Sequence, residues 1–106
     1  MDINVKKFKE LMVGENVCIL DVRTLDEFEN GFIKNSVNYD IFQVDFRDDI
    51  LKLDRDKLYL LYCRSGARSA NAMEFMKSNG FLAVYNLIGG VSAWNMAGEE
   101  LIEENE

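Results

Sequence analysis

Leu58-Tyr59-Leu60-Leu61-Tyr62, running without a break into Cys63-Arg64-Ser65-Gly66-Ala67-Arg68-Ser69, is the stretch on which the reading of this chain turns. The first five residues are continuously apolar, the pattern of a strand covered on both faces. The next seven are small or polar. From Ser69 to Asn79 the spacing is helical, with Ala70, Ala72, Met73, Phe75 and Met76 on one face and Gly80 as the stop. A buried strand that turns tightly into a helix is one half of a β-α-β unit.

The same alternation extends in both directions. Val17-Cys18-Ile19-Leu20 is a second short apolar strand, ending at Asp21-Val22-Arg23. Before it, Val5, Phe8, Leu11 and Met12 follow helical spacing up to Gly14. After it, Thr24-Leu25-Asp26-Glu27 reads as a capping box opening a short helix that stops at Asn30-Gly31. A short strand is expected around Ser36-Val37-Asn38, then a helix within Ile41 to Leu53 whose register the spacing leaves open. Ala83-Val84-Tyr85-Asn86-Leu87 is the last strand, and Gly89-Gly90 turns into a helix through Val91, Ala93, Trp94 and Met96. Strands alternating with helices at this spacing predict a parallel sheet with helices on both faces. Open sheets of that kind carry their sites at the carboxyl ends of strands, where Cys63 falls.

Composition narrows the chemistry. The 106 residues are read as a single domain, 1–106, with 48 % hydrophobic and 29 % charged residues, enough apolar material for a core and against disorder. There is no His, so imidazole metal sites and Ser–His or Cys–His dyads are excluded. Twelve basic and 19 acidic residues give −7. Residues 99–106 hold five glutamates and no base, which reads as a solvated, frayed acidic end. This balance argues against nucleic acid as a partner. Two cysteines are too few for a disulfide scaffold. No leader-like or membrane-spanning apolar run is present, so the expected location is cytoplasmic and reducing, with no membrane partner.

The Cys63 loop explains how a thiol can react without His. Successive backbone N–H groups in a tight turn form a concave anion site, and the following helix adds its unpaired first-turn N–H groups. A sulfur held there is expected to ionise below the free value of ~8.5, in the range ~3.5–7.5. Gly66 supplies the backbone freedom and Ala67 a small rim. Arg64 and Arg68 would draw an anionic substrate and fork onto its oxygens, and Ser69 adds a hydroxyl donor near the mouth. Cys18, inside an apolar strand, reads as a packed thiol, and Met73, Met76 and Trp94 as core.

These residues together resemble the rhodanese-like domain in its single-domain form. The resemblance rests on Asp21-Val22-Arg23 after a strand, Glu27-Phe28, the stretch from Gly31 to Asn38, the Cys63–Arg68 loop and Gly89-Gly90-Val91-Ser92-Ala93-Trp94, and it covers nearly the whole chain. It implies a small doubly wound, three-layer α/β domain around a central, mostly parallel sheet of about five strands. It implies that Cys63 is a persulfide-forming nucleophile and that Cys63–Arg68, with the helix it opens, is the substrate cradle. Arg23 matches a family Arg close to that loop, with a structural ion-pair role expected, and Asp21 supports it. Where the family usually carries Gly-His-Ile-Pro-Gly-Ala, this chain has Gly31-Phe32-Ile33-Lys34-Asn35-Ser36, without the His, Pro and second Gly.

Loop length separates two chemistries on this resemblance. Cys-based phosphatases place five residues between Cys and Arg, whereas four separate Cys63 from Arg68. The smaller ring suits one sulfur atom. The implied reaction is ping-pong sulfur transfer: thiosulfate or a similar donor gives its sulfane sulfur to Cys63, and cyanide, a thiol or a protein thiol takes it. No metal and no organic cofactor are expected. The alternatives are a persulfide carrier or a non-catalytic partner-binding module, and, further off, a phosphatase or arsenate reductase.

Overall fold

A computed structural model describes residues 1–103. The elements run β1 (Asp2–Ile3), α1 (Val5–Met12), β2 (Val17–Asp21), α2 (Leu25–Glu29), β3 (Ser36–Asn38), α3 (Phe46–Leu51), β4 (Leu58–Tyr62), α4 (Ala67–Ser78), β5 (Ala83–Leu87) and α5 (Gly90–Met96). The five strands form one sheet in the order β1-β5-β4-β2-β3. Every pairing is parallel, with Leu60 beside Ile19 on one side and Tyr85 on the other. The expected parallel α/β sheet is therefore present, and β4 is its central strand.

Alternation along β4 builds two cores. Tyr59, Leu61 and Cys63 point to one face, where they pack with Phe46, Ile50, Ala72, Met73 and Met76 of α3 and α4. Leu60 and Tyr62 point to the other, against Phe8 of α1 and Val91 and Trp94 of α5. Both faces of the strand are thus covered, which is why its sequence is apolar throughout rather than alternating. Cys18 is half-buried and packs against the first of these cores.

Several boundaries differ from expectation. The helix expected within Ile41 to Leu53 is confined to Phe46–Leu51. Residues 41–45 form turns instead, held by Phe42 N–H donating to Asp40 Oδ1 and Phe46 N–H donating to Gln43 O. Phe42 and Val44 are exposed, so no single helical face could have buried every apolar residue of that segment. Helix α4 begins at Ala67, two residues before the expected start, because the loop itself closes its first turn. Met96, counted with the apolar side of α5, is exposed. Strand β1 is two residues long, too short to give a periodic signal.

The stretch that departs from the family pattern is held by other means. Tyr62 Oη accepts from Ile33 N–H and bonds Ser36 Oγ, both at 3.0 Å, while Ser36 N–H donates to Ile33 O. Phe32 exchanges backbone hydrogen bonds with Ile102 in an antiparallel bridge. That bridge also corrects the expectation of a frayed acidic end. Over residues 99–103 the chain is tied down: Lys9 pairs with Glu99 at 2.6 Å, and Trp94 Nε1 donates to Glu100 O. Leu101 turns inward onto the second core while the glutamates beside it face out. Residues 104–106 of that end lie outside the described residues.

Candidate active site

Three strands end on the carboxyl side of the sheet: β2 at Asp21 before Val22 and Arg23, β4 before Cys63 to Gly66, and β5 at Leu87 before Ile88 to Gly90. Cys63 continues the inward side of β4, so its side chain drops under the loop and the residue is only 1 % exposed. Gly66, at φ 103° and immediately before α4, reverses the chain above it. A side chain there would press within 3.1 Å of Gly89 N.

Around Cys63 Sγ the loop presents donors. Gly66 N–H reaches it at 3.0 Å, Ser69 N–H at 3.4 Å and Ser69 Oγ at 3.3 Å. Burial pushes the thiol's pKa up, but these hydrogen bonds, with a further contribution from the Ser65 amide, outweigh it and leave the pKa below the usual thiol range. The cradle is narrower than a ring of six inward amides. Gly66 and Ser69 supply the hydrogen bonds to sulfur, and the carbonyls of Cys63 and Arg64 turn the other way.

Those carbonyls are themselves anchored. Val91 N–H donates to Cys63 O at 2.9 Å, and Ser92 N–H to Arg64 O at 3.1 Å. Two otherwise unpaired first-turn amides of α5 are thereby satisfied, and the loop is held with its own amides toward sulfur. Gly90 makes the approach feasible: at φ 53° it faces Cys63 O so closely that any Cβ would overlap it. In the sequence, Gly89-Gly90 carries only a turn signal, and this contact is not visible there.

The two loop arginines separate. Arg64 is exposed and makes no side-chain hydrogen bond or ion pair among the described residues. Arg68 is committed: its two terminal nitrogens fork onto Glu27 Oε1 and Oε2 at 2.8 and 3.0 Å, and its guanidinium lies 5.8 Å from the centre of the Phe42 ring. The Arg68 hydrogen bonds, helped by the Thr24 amide, hold the Glu27 carboxyl down at about 2. The expectation that both arginines are free to grip an anion is corrected on this point. Ser69 is also relocated. It is fully buried behind the sulfur rather than at the mouth. Ser65 and Ala67 form the exposed outer rim.

Asp21 and Arg23 make a buried pair, with Arg23 Nη2 donating to Asp21 Oδ2 at 2.7 Å and to Gly31 O at 2.6 Å. The pair ties the end of β2 to Gly31, and neither side chain hydrogen-bonds Cys63. Asn86, missed by the sequence reading, lies 2.5 Å from Ser69 Oγ. Its position on an apolar strand was the only signal. Among the described residues no group of three or more His, Cys, Asp or Glu is placed to hold a metal ion.

Residues 4–97 match the profile of the Rhodanese-like domain family. The chain is 34 % identical over 88 residues to a sulfurtransferase of Allochromatium vinosum, covering 83 % of this chain and 80 % of that one. It is 32 % identical over 85 residues to a thiosulfate sulfurtransferase of Coxiella burnetii, covering 80 % and 78 %. The crystal structure of a rhodanese-related protein from Thermoplasma volcanium superposes with a TM-score of 0.84 at 34 % identity, covering 97 % and 98 % of the two chains.

Proposed function

The chain belongs to the rhodanese-like domain family, and from that premise we propose that it is a sulfurtransferase working through a persulfide on Cys63. The observation that carries this reading is the set of donors around a buried sulfur at the end of the central strand. In the first half-reaction Cys63 thiolate attacks the sulfane sulfur of thiosulfate. The Sγ–S bond forms, the donor's S–S bond breaks, and sulfite leaves with the electron pair. Arg64, an exposed arginine of the loop, binds the donor's anionic oxygens. The outer sulfur of the persulfide remains among first-turn amides of α4 that have no intrahelical acceptor. In the second half-reaction cyanide or a thiolate attacks that outer sulfur and Cys63 leaves as thiolate. Each step conserves charge and atoms and uses no other reactant.

Intact mass after thiosulfate tests this. The protein gains one sulfur atom, cyanide removes it with formation of thiocyanate, and Cys63→Ser gains none while keeping its fold. Normal turnover by Cys63→Ser would sink the assignment. A second reading, in which the persulfide is carried to a protein acceptor, draws on the exposed Phe42 beside Arg68. It predicts a lasting one-sulfur gain with poor turnover on small acceptors. An inert response to p-nitrophenyl phosphate is expected on either reading.

A further inference from the structure

Behind the sulfur lies a polar chain that the proposed reaction does not itself require. Ser69 Oγ has one proton and three acceptors within reach: Asn86 Oδ1 at 2.5 Å, Cys63 Sγ at 3.3 Å and Gly66 O at 3.3 Å. Gly66 O is already served by Ala70 N–H at 3.0 Å and Asn86 Nδ2 at 3.2 Å, so both its lone pairs are used. The contest is between Asn86 and the sulfur. Asn86 cannot evade it by flipping its amide. Its Nδ2 donates to Asp2 Oδ1 at 3.1 Å as well as to Gly66 O, and a flip would set an oxygen against two acceptors.

We propose that Asn86 is a positioning residue that governs the Ser69 hydroxyl, holding its proton away from Cys63 while the sulfur is neutral and yielding it when the sulfur is charged. With a thiol present, Ser69 donates to Asn86 and offers a lone pair to S–H. With a thiolate, the same hydroxyl is drawn toward sulfur, because a bond to a charged acceptor is the stronger. Asn86 is only 3 % exposed, so releasing the proton leaves Oδ1 without water to replace it. Asn86 therefore restrains how far the site stabilises the thiolate, and a less stabilised thiolate is the better nucleophile.

The inference rests on Cys63 as the reacting thiol, and iodoacetamide alkylation reads it without any sulfur transfer. In Asn86→Leu, similar in shape but with no acceptor, Ser69 is free to serve the sulfur, and the alkylation midpoint falls by about half a pH unit or more. In a Ser69→Ala background the same replacement leaves the midpoint where Ser69→Ala alone puts it. A purely structural role predicts the opposite sign, since loosening Gly66 weakens its amide bond to sulfur. An unchanged or raised midpoint in folded Asn86→Leu, or an equal shift without Ser69, overturns the proposal. A measurement with Asn86 intact guards against misfolding. The Asn86 carboxamide NMR signals move as Cys63 titrates, and in Ser69→Ala that movement falls by more than half. Equal movement in both proteins would mean that Asn86 senses only charge, and would likewise overturn it. Loss of sulfur loading with these shifts intact would count against the proposed function alone.

Discussion

At the scale of single residues, the two loop arginines divide what their spacing presents as one task. Arg68 spends both terminal nitrogens on Glu27, whereas Arg64 has no such partner among the described residues. On the proposed function, Arg64 is therefore the residue expected to hold an anionic donor. In Arg64→Ala the KM for thiosulfate rises about fivefold with a smaller change in kcat, the loss of one charge-assisted contact to the bound donor. Arg68→Ala changes KM less and stability more. Steady-state kinetics on both variants decide the matter, and a larger KM effect at Arg68 would reverse the assignment. Cys63 itself carries a pH expectation. Burial opposes its ionisation, but the hydrogen bonds from Ser69 and Gly66 prevail, so the thiolate persists to lower pH than a free thiol. Alkylation followed against pH gives a midpoint below that of a model thiol. A midpoint at or above it would mean the donors do not prevail.

At the scale of elements, the site is a junction of two helix starts. Helix α4 turns amides toward sulfur, and α5 turns amides toward the loop carbonyls. Gly90→Ala tests the second contact. A left-handed backbone costs a side chain ~1–2 kcal/mol, and here the new Cβ also collides with Cys63 O. The variant loses about 2 kcal/mol or more in urea unfolding, and sulfur loading slows at least ~10-fold as the loop shifts. Full activity would show that α5 does not hold the loop. Helix α2 joins the site through Glu27. Because Gln also supports a capping box, Glu27→Gln isolates the pair with Arg68 from the bonds to Thr24. The sign with pH follows from a carboxyl lowered from 4.5 to about 2. Its contribution is complete above 4.5 and is lost as pH falls toward 2. Both side chains are about a quarter exposed, so the contribution at neutral pH is about 1 kcal/mol. Urea midpoints of the two proteins should differ at neutral pH and converge below pH 4.5. A constant gap would assign the effect to packing.

At the scale of the whole molecule, what was legible in the sequence is what local patterning controls. The apolar runs of β2, β4 and β5 and the capping box of α2 are set within a few residues, and each is readable. Cys63 was readable because strand, loop and helix adjoin in sequence. The rest depends on contacts between distant segments. Glu27 meets Arg68 across 41 positions and Asn86 meets Asp2 across 84, and neither pairing leaves a spacing to detect. The packing of residues 99–103 is illegible for the same reason. The glutamates there suggest solvation, while Leu101 and Ile102 become informative only beside Gly31, Phe32 and Trp94. This strap seals the second core, whereas the Cys63 side chain belongs to the first. Stability and chemistry should accordingly separate. A chain ended after Gly98 loses the burial of Leu101, the two Phe32–Ile102 bonds and the Trp94 bond, a cost of about 2–3 kcal/mol. Below its unfolding temperature the shortened chain still takes up one sulfur at Cys63, at a rate within about twofold, because Val91 and Ser92 continue to hold the loop. Urea unfolding and intact mass on the same preparation measure the two effects. Undiminished stability would deny the strap its role, and a silenced Cys63 would show that the second core reaches the site through α5.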